Sequence, residues 1–418
     1  MLAVAALPVH TPLARFCGQG CAMTIVDITA LGQRGEGVAE LDGKRIYVPF
    51  ALPGETVEAE VDGERGRLGS VLAPSAHRIA PFCPHFGVCG GCQLQHLDAE
   101  TYAAFKRDLV LMALSHAGVD TPVEPLVDAR GTGRRRATLH VRREGAGFMA
   151  YHTHSLHPIE HCPILVPALA AAPAMARAIF GAVGDADIAF TATLTGIDVA
   201  VRPARRARAE RLTPLAQRFR LARLSLDGET VIQAQAPVVK VGKAVVELPP
   251  ASFLQATEAA ESTLGDLVVA GLAGSKEIAD LFCGIGPFAL RLAEGARVYA
   301  ADSDKAAIAA LVRAHHRARG LKAITAVRRD LFREDLTALE LERFDGLVFD
   351  PPRAGAEAQA KQIARSKIKT VVAVSCEPKT FARDAKILID GGYRLERVTP
   401  VDQFAFSTHV ELVGLFRR

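Results

Sequence analysis

Ser375-Cys376-Glu377-Pro378 follows the apolar run Val371–Val374, so a cysteine closes a strand that proline then ends. A thiol there is a candidate nucleophile, because sulfur both adds and departs readily; a small residue packed at a strand end is the equal alternative on this feature alone. Asp350 occupies the same kind of position in Leu347-Val-Phe-Asp350-Pro351-Pro352-Arg353. Glu411 is different, since it lies inside the apolar strand His409-Val410-Glu411-Leu-Val-Gly-Leu-Phe416. A carboxylate in such a strand is costly unless paired or used. If this strand returns antiparallel, Glu411 comes beside Cys376 although 34 residues lie between them. A nucleophile and a general base would then share one cleft.

A cofactor is suggested by Glu277-Ile-Ala-Asp280-Leu-Phe282-Cys283-Gly284-Ile-Gly286-Pro287-Phe-Ala289. An apolar strand runs into a Gly-x-Gly loop and a helix, and the next strand, 298–301, ends in Asp302. Gly284-x-Gly286-x-x-Ala289 also satisfies the dinucleotide pattern, so the loop alone leaves the ligand open. Asp280 tips the choice. A carboxylate just before the loop repels a pyrophosphate but suits a sulfonium and an α-amino group, which favours S-adenosylmethionine over a nicotinamide dinucleotide. Asp302 fits ribose hydroxyls under either reading.

A third constellation is Cys83-x5-Cys89-x2-Cys92, with Cys162 far downstream. Glycines between the thiols give a loop able to wrap an inorganic centre. Four thiolates suit zinc or an iron–sulfur cluster, and the spacing leaves both open. Cys17 and Cys21 fit no pattern.

The elements that must position these groups follow from periodicity and turn signals. Residues 23–78 read as short strands separated by Asp42-Gly43, Pro53-Gly54 and Asp62-Gly63, the pattern of a small OB-like barrel, after a leader over 1–22. Residues 79–250 read as a β-rich middle domain that opens with the cysteine loop and a helix over 100–117. Residues 251–418 read as a doubly wound, Rossmann-like α/β domain, whose strand ends form a ligand crevice. The fold class is therefore multidomain, α/β with β. Net charge is only +4, but Arg130 to Arg223 holds fifteen arginines and no lysine against six acids. Clusters at Arg134–Arg136 and at Arg202, Arg205, Arg206, Arg208 and Arg211 suit phosphate, and a solvated arginine-rich face is the alternative. No run of eighteen uncharged apolar residues exists to span a membrane. Eight cysteines in this length suggest metal ligands and thiols in a reducing cytosol, hence a cytoplasmic protein.

At these residues the chain resembles the RNA 5-methyluridine methyltransferases, most closely the bacterial branch acting on uracil in 23S ribosomal RNA. The resemblance covers nearly the whole chain. It implies a TRAM domain at 23–75, a class I methyltransferase domain at the C-terminus and a [4Fe–4S] cluster on Cys83, Cys89, Cys92 and Cys162. It also implies S-adenosylmethionine at Gln255, Asp280, Phe282, Gly284, Gly286, Pro287, Asp302, Asp330 and Asp350. Cys376 is implied as nucleophile and Glu411 as general base. The helix over 100–117 is implied to pack on the catalytic domain. The chain departs from the family pattern at Pro287 and Thr257, where asparagine is usual, at Asp302, where glutamate is usual, and after Phe404, where proline is usual.

The implied reaction is methyl transfer to C5 of a uridine in RNA, through a covalent bond from Cys376 to C6. A transfer-RNA uridine is the alternative substrate. No obligate protein partner is evident. Asp350-Pro-Pro also resembles the motif of exocyclic-amine methyltransferases, but Arg353 stands where that chemistry wants an aromatic. A non-catalytic iron–sulfur RNA-binding protein is the rival of another class, opposed by the retention of both Cys376 and Glu411.

Overall fold

The computed structural model describes residues 23–418; the leader with Cys17 and Cys21 lies outside the described residues. Two compact units emerge. One comprises the described residues to Lys106 with Gly147–Ile159 and Ala405–Thr408, the other Arg107–Ala146, Glu160–Phe404 and His409–Arg418.

In the first unit six strands form a curled sheet in the order Met23–Asp27, Thr56–Asp62, Arg65–Ala73, Lys44–Pro49, Glu36–Leu41, Ala30–Leu31. Alternate residues Val26, Ile28, Ala39, Ile46, Val48, Val57 and Ala59 fill its core. Asp42 and Gly43 both take positive φ, 50° and 73°, which gives the two-residue turn whose twist matches a right-twisted hairpin. Further along, the amides of Gln93 and Leu94, beside the cysteine loop, both donate to the Phe406 carbonyl at 2.7 and 2.9 Å.

The second unit holds an eight-stranded sheet in the order Ile324–Arg328, Arg297–Asp302, Glu277–Leu281, Gly346–Phe349, Thr370–Ser375, Glu411–Arg417, Arg394–Asp402, Val127–Asp128. The first five strands are parallel, and Glu411–Arg417 returns antiparallel to Thr370–Ser375. Strand order reverses between Glu277–Leu281 and Gly346–Phe349. Sheets of this kind bind ligands in the crevice outside the carboxyl ends of the strands at that switch. The near-continuous apolar character of Gly346–Phe349 and Thr370–Ser375 follows from burial on both faces.

Two other parts of this unit join the same cores. Val110 and Leu114, from the helix Ala99–His116, pack with Leu347, Ile363 and Phe381 on one face of the sheet. The hairpin Val238–Val241/Ala244–Glu247 lays Val239, Val241 and Val246 against Leu264, Ile285 and Leu311 on the other. Antiparallel strands Arg136–Arg142, Ala186–Thr193 and Gly196–Pro203 lie beside one another in a further sheet. Among the described residues no helix is long and apolar enough to cross a membrane.

Candidate active site

The crevice at the switch point is lined with carboxylates. Asp280 is fully buried on the strand Glu277–Leu281, and neither oxygen has a close hydrogen-bond partner. Burial first, then the charges of Asp350 and Asp302, push its carboxyl well above the usual range; the nearby Ala289 amide pulls the other way. Asp350, at the end of the neighbouring strand, is likewise raised by burial. Three acids held this close create a site that a cation relieves and a pyrophosphate does not.

The turn beside them is tight. Phe282, Gly284 and Gly286 all have positive φ, and a side chain on Gly286 would meet Leu311 at 2.4 Å. Asp302 braces this loop: one carboxylate oxygen accepts from the Gly284 amide at 2.9 Å, the other from Asp304 at 2.8 Å. So Asp302 does structural work in addition to any ribose contact. Pro287 is half-buried in the loop and brings no amide hydrogen. Asp330 accepts from the Phe332 amide at 3.1 Å, and the Phe332 ring lies 5.4 Å from that of Phe282. This exposed aromatic was not anticipated; its only sequence signal is an apolar residue two positions after the acid.

Cys376 and Glu411 are brought together by register. Ser375 pairs with Leu412 and Val374 with Val413, so Cys376 follows the last pair of that ladder and Glu411 precedes it, near enough for the Glu411 charge to act on the thiol. The Cys376 thiol is pushed up to about 11, by burial and then by the charges of Glu411 and Asp350. Arg353 opposes this by charge and by a hydrogen bond to the thiol. Arg353 also lies 3.2 Å from His409 Nε2. Glu411 is fully buried, and burial and Asp350 raise its carboxyl, against Gln403 and Arg353. Gln403 donates from Nε2 to Glu411 Oε2 at 2.5 Å and to Gln255 Oε1 at 2.7 Å. Sequence reasoning passed over Gln403 and assigned no role to Arg353. Cys283 is a poor rival nucleophile in this geometry, being buried with its thiol raised, first by that burial and then by the charges of Asp280 and Asp302.

Several arginines of the basic stretch are consumed internally. Arg223 forms a buried bidentate pair with Asp198 at 2.9 and 2.6 Å, and Arg135 pairs with buried Glu261 at 2.6 Å. Arg136 remains half-buried, with its guanidinium 4.5 Å above the Phe253 ring and its Nε without a partner. Burial, then the charges of Arg134 and Arg135, lower its pKa to about 10. Phe253 is 65% exposed. Arg202, Arg205, Arg206, Arg208 and Arg211 are exposed. Thr257, a departure from the family pattern, caps the helix Glu258–Gly271 by accepting from the Ala260 amide at 3.0 Å.

In the first unit Cys83 and Cys89 lie near enough to repel as thiolates, and burial raises both thiols. Cys162 belongs to the second unit. Among the described residues no group of three or more His, Cys, Asp or Glu side chains is gathered to hold a metal ion. The assembled quartet expected from the sequence is thus not seen among the described residues.

The comparisons accord with this site. A family profile described as tRNA (Uracil-5-)-methyltransferase matches residues 214–418, and one described as TRAM domain matches 25–65. A Caulobacter vibrioides protein described as an RNA methyltransferase is 46% identical over 415 residues, covering 95% of this chain and 100% of its own. A 23S rRNA (uracil(1939)-C(5))-methyltransferase of Halomonas elongata is 35% identical over 428 residues, covering 92% and 87%. Among solved structures, the Pyrococcus abyssi tRNA (uracil-54, C5)-methyltransferase with S-adenosyl-L-homocysteine shares the fold at TM-score 0.76 and 23% identity, over 94% of this chain and 99% of that one.

Proposed function

The chain belongs to the TRAM-containing RNA 5-methyluridine methyltransferase family and is an S-adenosylmethionine-dependent RNA (uracil-C5) methyltransferase, and we propose that Cys376 and Glu411 perform its chemistry. The observation that supports this reading is the antiparallel register whose end is flanked by Cys376 and the buried Glu411, whose charge acts on the thiol. Uracil C5 is too poor a nucleophile to act unaided. The Cys376 thiolate adds to C6, and the displaced electron pair moves through C5 toward the C4 carbonyl oxygen. C5 then forms its bond to the methyl carbon as the bond from that carbon to the donor's sulfonium sulfur breaks, the pair staying on sulfur as a neutral thioether. Glu411 takes the C5 proton, the C5–C6 double bond returns, and the Cys376–C6 bond breaks to release the thiolate.

S-adenosylmethionine, when bound, supplies an electrophilic methyl on a sulfonium. The buried, unrelieved Asp280 beside Asp350 fits its cationic methionine part. Asp302 and the glycine loop would face the ribose, and Asp330 with Phe282 and Phe332 the adenine. Gln255 is proposed to orient the base or the methionine part.

Of the two substrate readings, the comparisons favour the transfer-RNA alternative over 23S ribosomal RNA. The family profile carries a transfer-RNA description, although the Halomonas relative is named for 23S rRNA. Mapping 5-methyluridine in both RNA pools of a strain lacking this chain decides between them. A missing methyl in 23S rRNA alone reverses the preference, and no missing methyl in either pool removes the proposal.

Reaching C6 requires the uridine to leave its stack. The Arg136–Phe253 pair is proposed to grip a neighbouring phosphate and base. Arg136→Ala is expected to weaken RNA binding at all sequences and to lower the salt slope by about one phosphate contact. Phe253→Ala is expected to cost on the order of 1–3 kcal/mol with the salt slope unchanged. Filter binding across a potassium chloride series separates the two.

A [4Fe–4S] cluster on Cys83, Cys89, Cys92 and Cys162 is also proposed. Its support is the residue set, its resemblance to the family and a buried Gln95 Nε2 that lacks a partner while Gln95 Oε1 accepts from the Cys83 amide at 3.2 Å. Inorganic sulfide would accept that hydrogen bond. Anaerobically purified protein is expected to hold about four irons with matching sulfide, and Cys162→Ser to lose its brown colour. Stoichiometric zinc without sulfide would refute the cluster.

A further inference from the structure

We infer that Gln403 is a positioning residue, an amide fixed by two bonds so that its remaining hydrogen aims and ionises the general base. This rests on the reading of Glu411 as that base. The argument begins at a backbone amide. Ala256 N–H can only donate, and it donates to the Gln403 side chain at 2.7 Å, so the atom it meets is the oxygen. The nitrogen therefore faces the other way, which settles the amide orientation. One of its hydrogens goes to Gln255 Oε1 at 2.7 Å. Bonded at two points, the planar group cannot turn, and its second hydrogen lies toward Glu411 Oε2 at 2.5 Å. All three side chains are buried.

A neutral donor suits this place. Glu411 faces Asp350 and the Cys376 thiol, both of which oppose its charge, and Arg353, which supports it. On the adjacent strand Asp402 lies 3.9 Å from Arg130. Gln403 cannot accept a hydrogen bond through nitrogen, so it favours the ionised carboxylate, the form able to take the C5 proton, and adds no charge that would disturb the thiol.

The test measures how fast the methylated protein–RNA adduct resolves, as a function of pH, with S-adenosylmethionine saturating. Gln403→Met keeps the volume and removes the donor. Glu411 then ionises at higher pH, so the profile is expected to move alkaline by about one unit and the rate to recover above it. Gln403→Lys places a cation there instead, and the profile is expected to move acid. A packing role alone would lower the rate at every pH without moving the profile, and that result overturns the inference. So does an unshifted profile in both variants. If either variant fails to fold, the sign of the shift in the other still decides. Glu411→Gln is run beside them: if it resolves its adduct normally, the reading of Glu411 falls; if it traps the adduct while Gln403 variants behave as wild type, only Gln403 is misassigned.

Discussion

Cys376→Ala is expected to abolish both methylation and covalent capture of RNA while leaving RNA and S-adenosylmethionine binding intact. Losing an obligatory nucleophile costs on the order of 10⁴–10⁶-fold in turnover. The residue is half-buried at a strand end, and alanine is smaller, so the fold loses little. The thiol is held up to about 11 in the free site, so roughly one in ten thousand is ionised at pH 7. The rate of adduct formation should therefore climb with pH across the neutral range. Arg353→Met should slow it further, because the guanidinium that lowers the thiol is gone. Quench-flow capture on denaturing gels measures both. An adduct in Cys376→Ala that maps to Cys283 would reassign the nucleophile, although Cys283 is buried and that burial raises its thiol.

How much of this site could be read in advance depended on whether a residue's type conflicts with its setting. Glu411 stood out because a carboxylate in an apolar strand demands a reason, but the antiparallel return that brings it near Cys376 was only a condition in the sequence and is supplied by the register. Asp350 and Cys376 were legible for the same reason, as polar ends of apolar strands. Gln403 raised no such alarm. A neutral amide after Val401-Asp402 is unremarkable until Ala256, distant by 147 residues, is seen donating to it. Asp302 was read as the end of the next strand, facing ribose hydroxyls, and its bonds to the Gly284 and Asp304 amides depend on backbone direction, which residue type does not encode. Charge counting had the opposite weakness. It could not tell Arg223 and Arg135, spent on Asp198 and Glu261, from Arg136, left with an unpaired Nε over an exposed ring.

Glu411→Gln separates the two halves of the reaction. Glutamine keeps the shape and an oxygen that can still accept from Gln403, so the strand and its neighbours are undisturbed. Its neutrality has a second effect, because the Glu411 charge helps to hold the Cys376 thiol up. Without it the thiol ionises more readily, and addition to C6 should run at least as fast as in the wild type. Methyl transfer should follow, since it draws only on the electron pair that addition releases. The C5 proton then has no base to receive it. The double bond cannot return and the thiolate cannot leave, so a methylated adduct accumulates that survives denaturing gels, in about one copy per enzyme. The same block should appear in the wild-type enzyme on RNA carrying 5-fluorouridine. Fluorine at C5 cannot be removed as a proton, so addition and methylation proceed and elimination stops. The radiolabel of S-adenosylmethionine should be found in both adducts. An adduct that lacks label in Glu411→Gln would mean that Glu411 acts before methyl transfer. Free methylated RNA at the wild-type rate would mean that another group removes the proton, and Asp350, a buried carboxyl whose charge acts on Glu411, is the residue to test next.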